Sequence, residues 1–571
     1  MRVKRSVSKN SVSYSIIKDV YRNGKKTTKV VEALGNDKEI QERHPGVDPF
    51  TWAKEYAKKL TEEENKKNKD IIAKFSPTKQ IQLEQRRLFN IGYLFLQVIY
   101  HELKLDKICA QIVKKYEFDY DLNSILSRLL YLRILHPTSK KATYEHANEL
   151  LEPPNFKPHQ MYRALNVLAE QSDFIEEKVY KNSLNIVKRN TQILYYDCTN
   201  FFFELEEADG LKQYGVSKEN RPNPIVQMGL FMDGSGLPLA FCITPGNQNE
   251  QTTLKPIEKR ILKDFELSKF VVCTDAGMSS NSNRLYNTRG ERAFVTTQSL
   301  KKLKKFLKDW ALDPDGWKLP GKNKTLNLND IRELDNDKRV YYKERWIKEN
   351  GLEQKLIVTY SPVYQRYQQA IREKQINRVI KKLEQPSSIN KHNQNDPKRF
   401  IKSIHVTNDG EIAKKYHATL DQDKIESESR FDGFYAVCTN LESNIEDIIK
   451  INKGKWEIEE TFRILKSEFR ARPVFLQKDE RIKAHFLTCF LSLLIYRILE
   501  KKLEEDYSSN KIISTLKNMN VKELDGEGYI PVYTRTEITD SLHNIFNFRT
   551  DYQITSQKNM REILRKTKKV K

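Results

Sequence analysis

Read for its apolar and polar positions, the chain divides into seven stretches of different character. Residues 12–34 hold two runs of strand formers on either side of Asn23-Gly24, a pairing that favours a tight hairpin turn. Residues 50–75 are charged and helix-prone. Over residues 80–190 apolar side chains recur at helical spacing, as at Ile125, Leu129 and Leu132 and again at Met161, Leu165 and Leu168. Pro137, Pro153, Pro154 and Pro158 punctuate those helices. From residue 191 the period changes. ILYYD (193–197), IVQMGLFMD (225–233), LPLAFCIT (237–244) and KFVVCTD (269–275) read as strands, with a helix near 251–264 before the last of them. Strands joined through a helix predict an α/β class. Residues 280–450 are polar and less regular, with strand-like pieces at 292–297, 355–360 and 431–440. A charged helix is expected over 361–385 and a loop over 387–398. Residues 451–505 return to helix, and 506–571 form a basic, mixed region.

Composition narrows the class. The 571 residues carry a formal charge of +23, which suits a polyanionic partner because each neutralised phosphate releases condensed counterions. Only 38% of residues are hydrophobic, but 26 Phe and 27 Tyr can build real cores. The six cysteines form no CxxC pair, so a zinc ribbon is not expected, and several sit in apolar runs as buried thiols. The basic start MRVKRSVSKN is followed by no apolar signal core, and the longest strongly apolar stretch, Phe486–Tyr496, is too short to span a bilayer. The expectation is a soluble intracellular protein without a membrane partner.

Candidate chemistry begins with two aspartates. Asp197 ends the run ILYYD, and Asp275 ends KFVVCTD. Carboxylates at strand ends can meet at a sheet edge, where open α/β sheets bind ligands. Strands also end in Asp because it favours turns, and the pattern alone does not separate the two. A third piece is KWEIEETFRILKSEFRARPVF (455–475), whose Ile458, Phe462, Leu465 and Phe469 form an apolar stripe. Lys455, Glu459, Arg463 and Lys466 share a second face. A carboxylate among three cations can hold a metal beside bound phosphates, and the same face also suits an ordinary row of solvated ion pairs.

This third piece resembles the signature of DDE insertion-sequence transposases of the hairpin-forming group, which carry a Tyr–Arg–Glu–Lys motif. Six residues separate Glu459 from Lys466, as in that motif, and this spacing selects Glu459 over Glu460. Asn452 and Lys455 stand where the motif has Tyr and Arg; a lysine keeps the charge but not bidentate phosphate contact. Asp197 in YYDCTN and Asp275 in CTDAGM resemble the first and second acids of the group. YGVSKENRP (214–222) and VQMGLFMDGSGLPL (226–239) resemble the segment between them. The interval between the second and third acids is more than twice that between the first and second, as is typical of the group. The start ending KVVEALG resembles one branch of it.

The resemblance implies an RNase H-like catalytic core interrupted by a β-rich insertion domain, preceded by an N-terminal β-hairpin and an all-α DNA-binding domain. The boundaries expected are 1–75 for the hairpin and linker, 76–190 for the helical DNA-binding domain, 191–290 and 441–505 for the two parts of the core, 291–440 for the insertion and 506–571 for the C-terminal region. It implies Asp197, Asp275 and Glu459 as catalytic ligands of two Mg2+ ions, with Mn2+ able to substitute. Lys455, Lys466 and Arg463 would contact phosphates, and Tyr214, Lys218 and Arg221 would grip the transposon end. Expected partners are duplex DNA with terminal inverted repeats, target DNA and a second copy of the chain in a homodimer. A base flipped from the duplex would stack on an aromatic of the insertion, with Trp310, Trp317 and Trp346 as candidates. Rival readings are a nuclease or resolvase without strand transfer and a non-catalytic DNA-binding regulator. The near P-loop at 316–323 ends in Asn323 where Ser or Thr is needed, so no nucleotide site is expected. His485 reads as a packed residue.

Overall fold

A computed structural model of the chain describes residues 1–8, 11–22, 25–67, 76–78, 80–332, 336–383, 396–405 and 416–569. Two compact units are present, one of residues 1–85 with 524–528 and one of residues 86–523 with 529–571. In the first, strands β1 (Arg2–Val7), β2 (Val12–Arg22) and β3 (Lys25–Asn36) form an antiparallel sheet, and helices α1 (Asp37–Arg43) and α2 (Pro49–Lys67) follow. β2 and β3 pair as the sequence pattern predicts. The Asn23-Gly24 turn itself lies outside the described residues. Tyr14, Ile16, Leu34 and Ile40 close a small core there against Ala53 and Ala57 of α2.

The second unit begins with a short strand, β4 (Leu88–Asn90), and six helices: α3 (Tyr93–Glu102), α4 (Leu105–Val113), α5 (Leu122–Leu135), α6 (Lys140–Ala147), α7 (Pro158–Glu170) and α8 (Ser172–Ser183). The helical spacing is real. Ile125, Leu129 and Leu132 are buried on α5, and Met161, Leu165 and Leu168 on α7. Asp121 caps α5 by accepting the Ser124 amide at 2.8 Å.

Strands β5 (Ile193–Phe202), β6 (Ile225–Asp233) and β7 (Pro238–Pro245) come next, then helix α9 (Leu254–Asp264), strand β8 (Val271–Thr274), helix α10 (Asn281–Tyr286) and strand β9 (Ala293–Thr297). After α11 (Lys305–Leu312) the chain adds β10 (Trp317–Lys318), β11 (Thr325–Leu326), α12 (Leu328–Arg332), β12 (Tyr341–Glu349), β13 (Leu352–Tyr360) and α13 (Pro362–Leu383). A two-stranded pair, β14 (Ile401–His405) with β15 (Tyr416–Leu420), is followed by α14 (Gln422–Ser429) and β16 (Phe434–Thr439). The helix expected over 361–385 is α13; most of the loop expected at 387–398 lies outside the described residues.

Ten of these strands form one mixed sheet in the order β11-β10-β12-β13-β16-β9-β8-β5-β6-β7. β5, β8 and β9 run parallel, and the flanks are antiparallel. The strands of residues 291–440 thus extend the sheet that carries β5, while Trp317, Tyr341, Leu356, Tyr360 and Phe434 give them a hydrophobic cluster of their own. Both faces of the central strands are covered, which is why their sequences are continuous apolar runs. Leu194, Tyr196 and Cys198 pack toward α9, whereas Tyr195 and Phe201 pack on the opposite face. Gly229 of β6 leaves room for Tyr196, whose hydroxyl would sit 2.1 Å from any Cβ there.

Helices α15 (Ile445–Lys453), α16 (Trp456–Ser467) and α17 (Asp479–Lys502) cover that second face. α17 is long and apolar enough to cross a membrane, but it is buried inside the protein, packed on α3, α5, α7 and β7. The remaining elements are α18 (Ser509–Asn518), β17 (Asn520–Leu524), β18 (Gly528–Pro531), α19 (Glu537–Phe546), β19 (Thr555–Ser556) and α20 (Gln557–Lys568). Phe546 and Phe548 pack on Phe95 of α3, so residues 506–571 share the core of the helical stretch.

A buried ion pair ties the helices to the sheet. Arg189 meets Asp233 at 2.6 Å with both side chains fully buried. Arg189 also donates to Ser183 Oγ and the Pro238 carbonyl at 2.8 Å, and Asp233 accepts the amides of Ser235 and Leu237. Removing one partner strands the other charge without water, so Arg189→Met should destabilise the protein by about 3–5 kcal/mol. Chemical denaturation measures this; a loss under about 1 kcal/mol would mean that the pair is not a structural tie.

Candidate catalytic site

β5 does not end at Asp197, contrary to the sequence reading. Residues 198–202 continue the strand by pairing with β6 as far as Phe202 opposite Ile225. The strand formers of CTNFF carry it on, and Asp197 sits in mid-strand. By alternation its side chain shares the face of Tyr195 and Phe201. Asp275 does follow the end of its strand, one residue beyond β8. The parallel ladder sets Tyr195 against Cys273 and Tyr196 against Thr274, so one further step brings Asp197 beside Asp275. Burial pushes the Asp197 carboxyl up to about 6; Lys218 opposes that rise and the Asp275 charge adds to it. The Asp197 carboxylate accepts the Cys198 amide at 2.7 Å.

The junction of α15 and α16 lies against this face. Tyr195 donates its hydroxyl to the Ile451 carbonyl at 3.1 Å. Gly454 makes that approach feasible, since a Cβ there would lie 2.0 Å from the Tyr195 hydroxyl. Lys455 comes next. Its ammonium rests on the Asp275 carboxylate and donates to Thr297 Oγ1 at 2.8 Å. Burial works against the Lys455 charge, but Tyr435 and Asp275 outweigh it and raise its pKa. Tyr435 of β16 bonds the same Thr297 hydroxyl at 2.6 Å. One turn after Lys455, the exposed Glu459 joins Asp275, Thr297, Asn452 and Lys455 in lining a cleft of about 480 Å3.

Two further lysines flank Asp197. Lys218 donates to the Cys198 carbonyl and pairs with Glu250 at 3.3 Å. Burial lowers the pKa of Lys466, Lys218 lowers it further and Asp197 opposes them. Lys466 pairs with Glu219 at 3.6 Å, and Glu219 also meets Arg472. Of the other residues singled out in the sequence, Arg221 lies over the Phe202 ring at 4.1 Å and 3.9 Å from Glu219. Tyr214 bonds the Glu206 carbonyl and leaves its ring half exposed. Arg463 turns elsewhere, onto Glu460 at 2.5 and 2.7 Å and Ser509 at 3.3 Å. Asp197 thus lies among Asp275, Lys218 and Lys466, while Asp275, Lys455 and Glu459 line the cleft, and Arg463 pairs elsewhere.

Glu219, Glu250, Thr297 and Tyr435 belong to the site although no sequence pattern singled them out individually. Glu219 lay within the YGVSKENRP segment; the other three carry no local signal.

The donor set fits divalent metal. It offers three carboxylates, hard oxygen ligands of the kind Mg2+ takes. Two of them are held side by side where their repulsion needs a cation, and the Lys455 ammonium supplies one at Asp275. Among the described residues, the three carboxylates are not drawn to within 4.8 Å of one another.

Trp317 is fully buried in the second cluster and cannot stack on a base, which corrects its place among the aromatic candidates. Trp310 packs against the same cluster, while Trp346 is half exposed on β12. The near P-loop is not a phosphate loop, since Trp317 and Lys318 form a strand within it. His485 is buried and hydrogen-bonded to the Ala471 carbonyl at 3.1 Å.

A methyl at position 454 overpacks the Tyr195 contact. Gly454→Ala should cost about 1–3 kcal/mol of stability, and Tyr195→Phe in the same chain should restore part of it. Denaturant titration of the single and double variants measures this; a Gly454→Ala protein as stable as the parent would refute the close-approach argument.

The profile of the Transposase DDE domain family matches residues 200–495, which include Asp275 and Glu459 and begin just after Asp197. No curated protein matches the sequence. Among solved structures, the piggyBac transposase synaptic complex with hairpin DNA aligns at 9% identity and a TM-score of 0.33, covering 83% of this chain and 87% of that one. The Mos1 transposase paired-end complex with the left transposon end aligns at 11% identity and a TM-score of 0.13, covering 40% and 63%. The family match spans more than half of the chain, and the chain belongs to the DDE transposases, enzymes that cleave and join DNA.

Proposed function

We propose that this protein excises a DNA element at its terminal inverted repeats and inserts it elsewhere, with Asp197, Asp275 and Glu459 as the catalytic carboxylates. The single observation that carries this reading is the register of β5 on β8, which brings Asp197 and Asp275 together beneath the helix bearing Glu459. The segment from β5 to β9 with α9 and α16 is the part we read as an RNase H-like core, and the β-rich residues 291–440 as its insertion.

Two Mg2+ ions held by these carboxylates, with Mn2+ able to substitute, would supply activation of the attacking oxygen and stabilisation of the leaving 3′ oxygen. The chain's own side chains do the rest. Lys466, partly buried beside Asp197, and Lys455, at the head of α16, offer positive charge to phosphate oxygens near the cleaved bond. Lys218, Arg221 and Tyr214 form an adjoining charged and aromatic surface suited to the end of the element. The freed 3′ hydroxyl then attacks the opposite strand; a new 3′ oxygen–phosphorus bond forms, the flanking strand leaves through its own 3′ oxygen, and the end closes as a hairpin. A homodimer holding two ends is the assembly that cut-and-paste excision requires.

The test uses purified protein, Mg2+ and duplexes carrying the element's terminal repeats, with products mapped on both strands. Nicks, hairpins and joined products are expected in sequence. Cleavage without joining would replace the reading with that of a nuclease. Asp197→Asn, Asp275→Asn and Glu459→Gln should each lower cleavage by several kcal/mol of barrier, on the order of a thousandfold, while binding of end DNA is kept or tightened because negative charge is removed. A variant of this set that cleaves at the parental rate removes its residue from the assignment.

A further inference from the structure

A second cavity, of about 530 Å3, lies where the turn before α6, helix α7 and the segment after α16 meet. Its size falls within the range of small-ligand sites. Arg133, Lys140, Lys141, Arg470 and Arg472 line it, and among the described residues no carboxylate does. Two of these cations are more than nine-tenths buried, Arg133 at 4% and Lys140 at 5% exposure. Arg133 donates to the carbonyls of Phe469 and Thr138, each at 3.2 Å, and its Nε has no partner. Among the described residues the Lys140 ammonium has no hydrogen-bond partner. Burial, with Arg133 adding to it, lowers Lys140 to about 7. His485, which also lines the cavity, is driven well below its usual value by burial and so adds no further positive charge.

A buried charge without a partner, as at Lys140, is among the costliest arrangements a fold can hold, and the Arg133 guanidinium, whose partners are neutral carbonyls, adds a second charge that no anion offsets. The first turn of α6 opens here as well. Ser139 caps it by accepting the Ala142 amide at 3.3 Å, and the positive end of the helix adds to the field. All of these features ask for an anion. Arg472 belongs both to this cavity and to the ion pair with Glu219, which in turn holds Lys466 beside Asp197. The exposed Phe475 and the ring of Tyr162 give the cavity an apolar wall suited to a sugar or base.

We propose that this cavity receives a backbone phosphate of the bound DNA, held by Arg133, Lys140 and the start of α6. The identity of the polyanion rests on the transposase reading; the phosphate chemistry does not. Lys140→Met keeps the length of the side chain and removes its charge. Without DNA, inorganic phosphate should raise the melting temperature of the parent protein above its value in chloride of equal ionic strength. The Lys140→Met protein should melt higher than the parent in chloride and show no response to phosphate. On end DNA it should bind roughly tenfold more weakly, and its slope of log affinity against log salt should fall by about 1. Lys140→Arg, which keeps the charge, should retain binding and guards against a folding defect.

Parental DNA affinity and salt slope in Lys140→Met would overturn the proposal. A phosphate response without any DNA effect would reduce the site to an adventitious ion only, and would also overturn it. A parent protein that answers to phosphate but never cleaves end DNA would retire the transposase reading and leave the anion site standing. A Lys140→Met protein that binds and cleaves like the parent would do the reverse.

Discussion

Everything at the candidate catalytic face follows from one pairing, the parallel alignment of β5 with β8. That register forces Asp197 and Asp275 into adjacent rows of the same sheet face. Like charges so placed repel, and the burial of Asp197 strengthens the effect on its side, while the Asp275 side chain stays about half exposed. The surroundings answer in layers. Lys455, Lys218 and Lys466 bring positive charge to the pair, and Thr297, Glu250 and Glu219 hold those lysines in turn. The second layer is what makes the first usable, since a long ammonium side chain left free has no fixed address.

The scaffold beneath is stiff where it needs to be. β5 and β6 are covered on both faces, Tyr195 fastens the last turn of α15 to the sheet, and Arg189 with Asp233 joins the preceding helices to the β6–β7 turn. Glu459 is the exception. It is exposed, on the first turn of a helix that leans on the sheet through its apolar stripe of Ile458, Phe462 and Leu465. The two aspartates are fixed by backbone pairing, whereas the third acid is fixed by helix packing.

How much of this could be read from the sequence depends on how local each cause is. Helices with recurring apolar positions, such as those around Leu129 and Leu165, were legible because periodicity is written in adjacent residues. Asp275 was legible because an apolar run stops there. Asp197 was misjudged as a strand end because β5 is buried on both faces, so its polar residue interrupts no alternation. Glu459 could be chosen over Glu460 only through its spacing to Lys466 and the resemblance this carries. Thr297 and Tyr435 were invisible for a different reason. Thr297 meets Lys455 from 158 residues away, and no local pattern records a contact between a strand and a helix so distant. The extension of the central sheet by β16, β13 and β12 is likewise a property of strand order, which sequence distance does not reveal. Trp317 shows the opposite hazard, a residue chosen for its chemistry that the core absorbs.

The C-terminal elements complete the hydrophobic core around α3. Asn90 donates to the carbonyls of Leu516 and Lys517, both at 3.0 Å, and Thr567 donates to Gln97 across 470 residues at 2.8 Å. During synthesis at about 5–20 residues per second, those partners arrive roughly 20 to 100 s after α3 has left the ribosome. In that interval the apolar surface of α3 has nothing from its own C-terminal region to cover it. The helical layer is thus a structure of the finished polypeptide, and the nascent chain passes through a long stage in which that surface lacks its C-terminal cover.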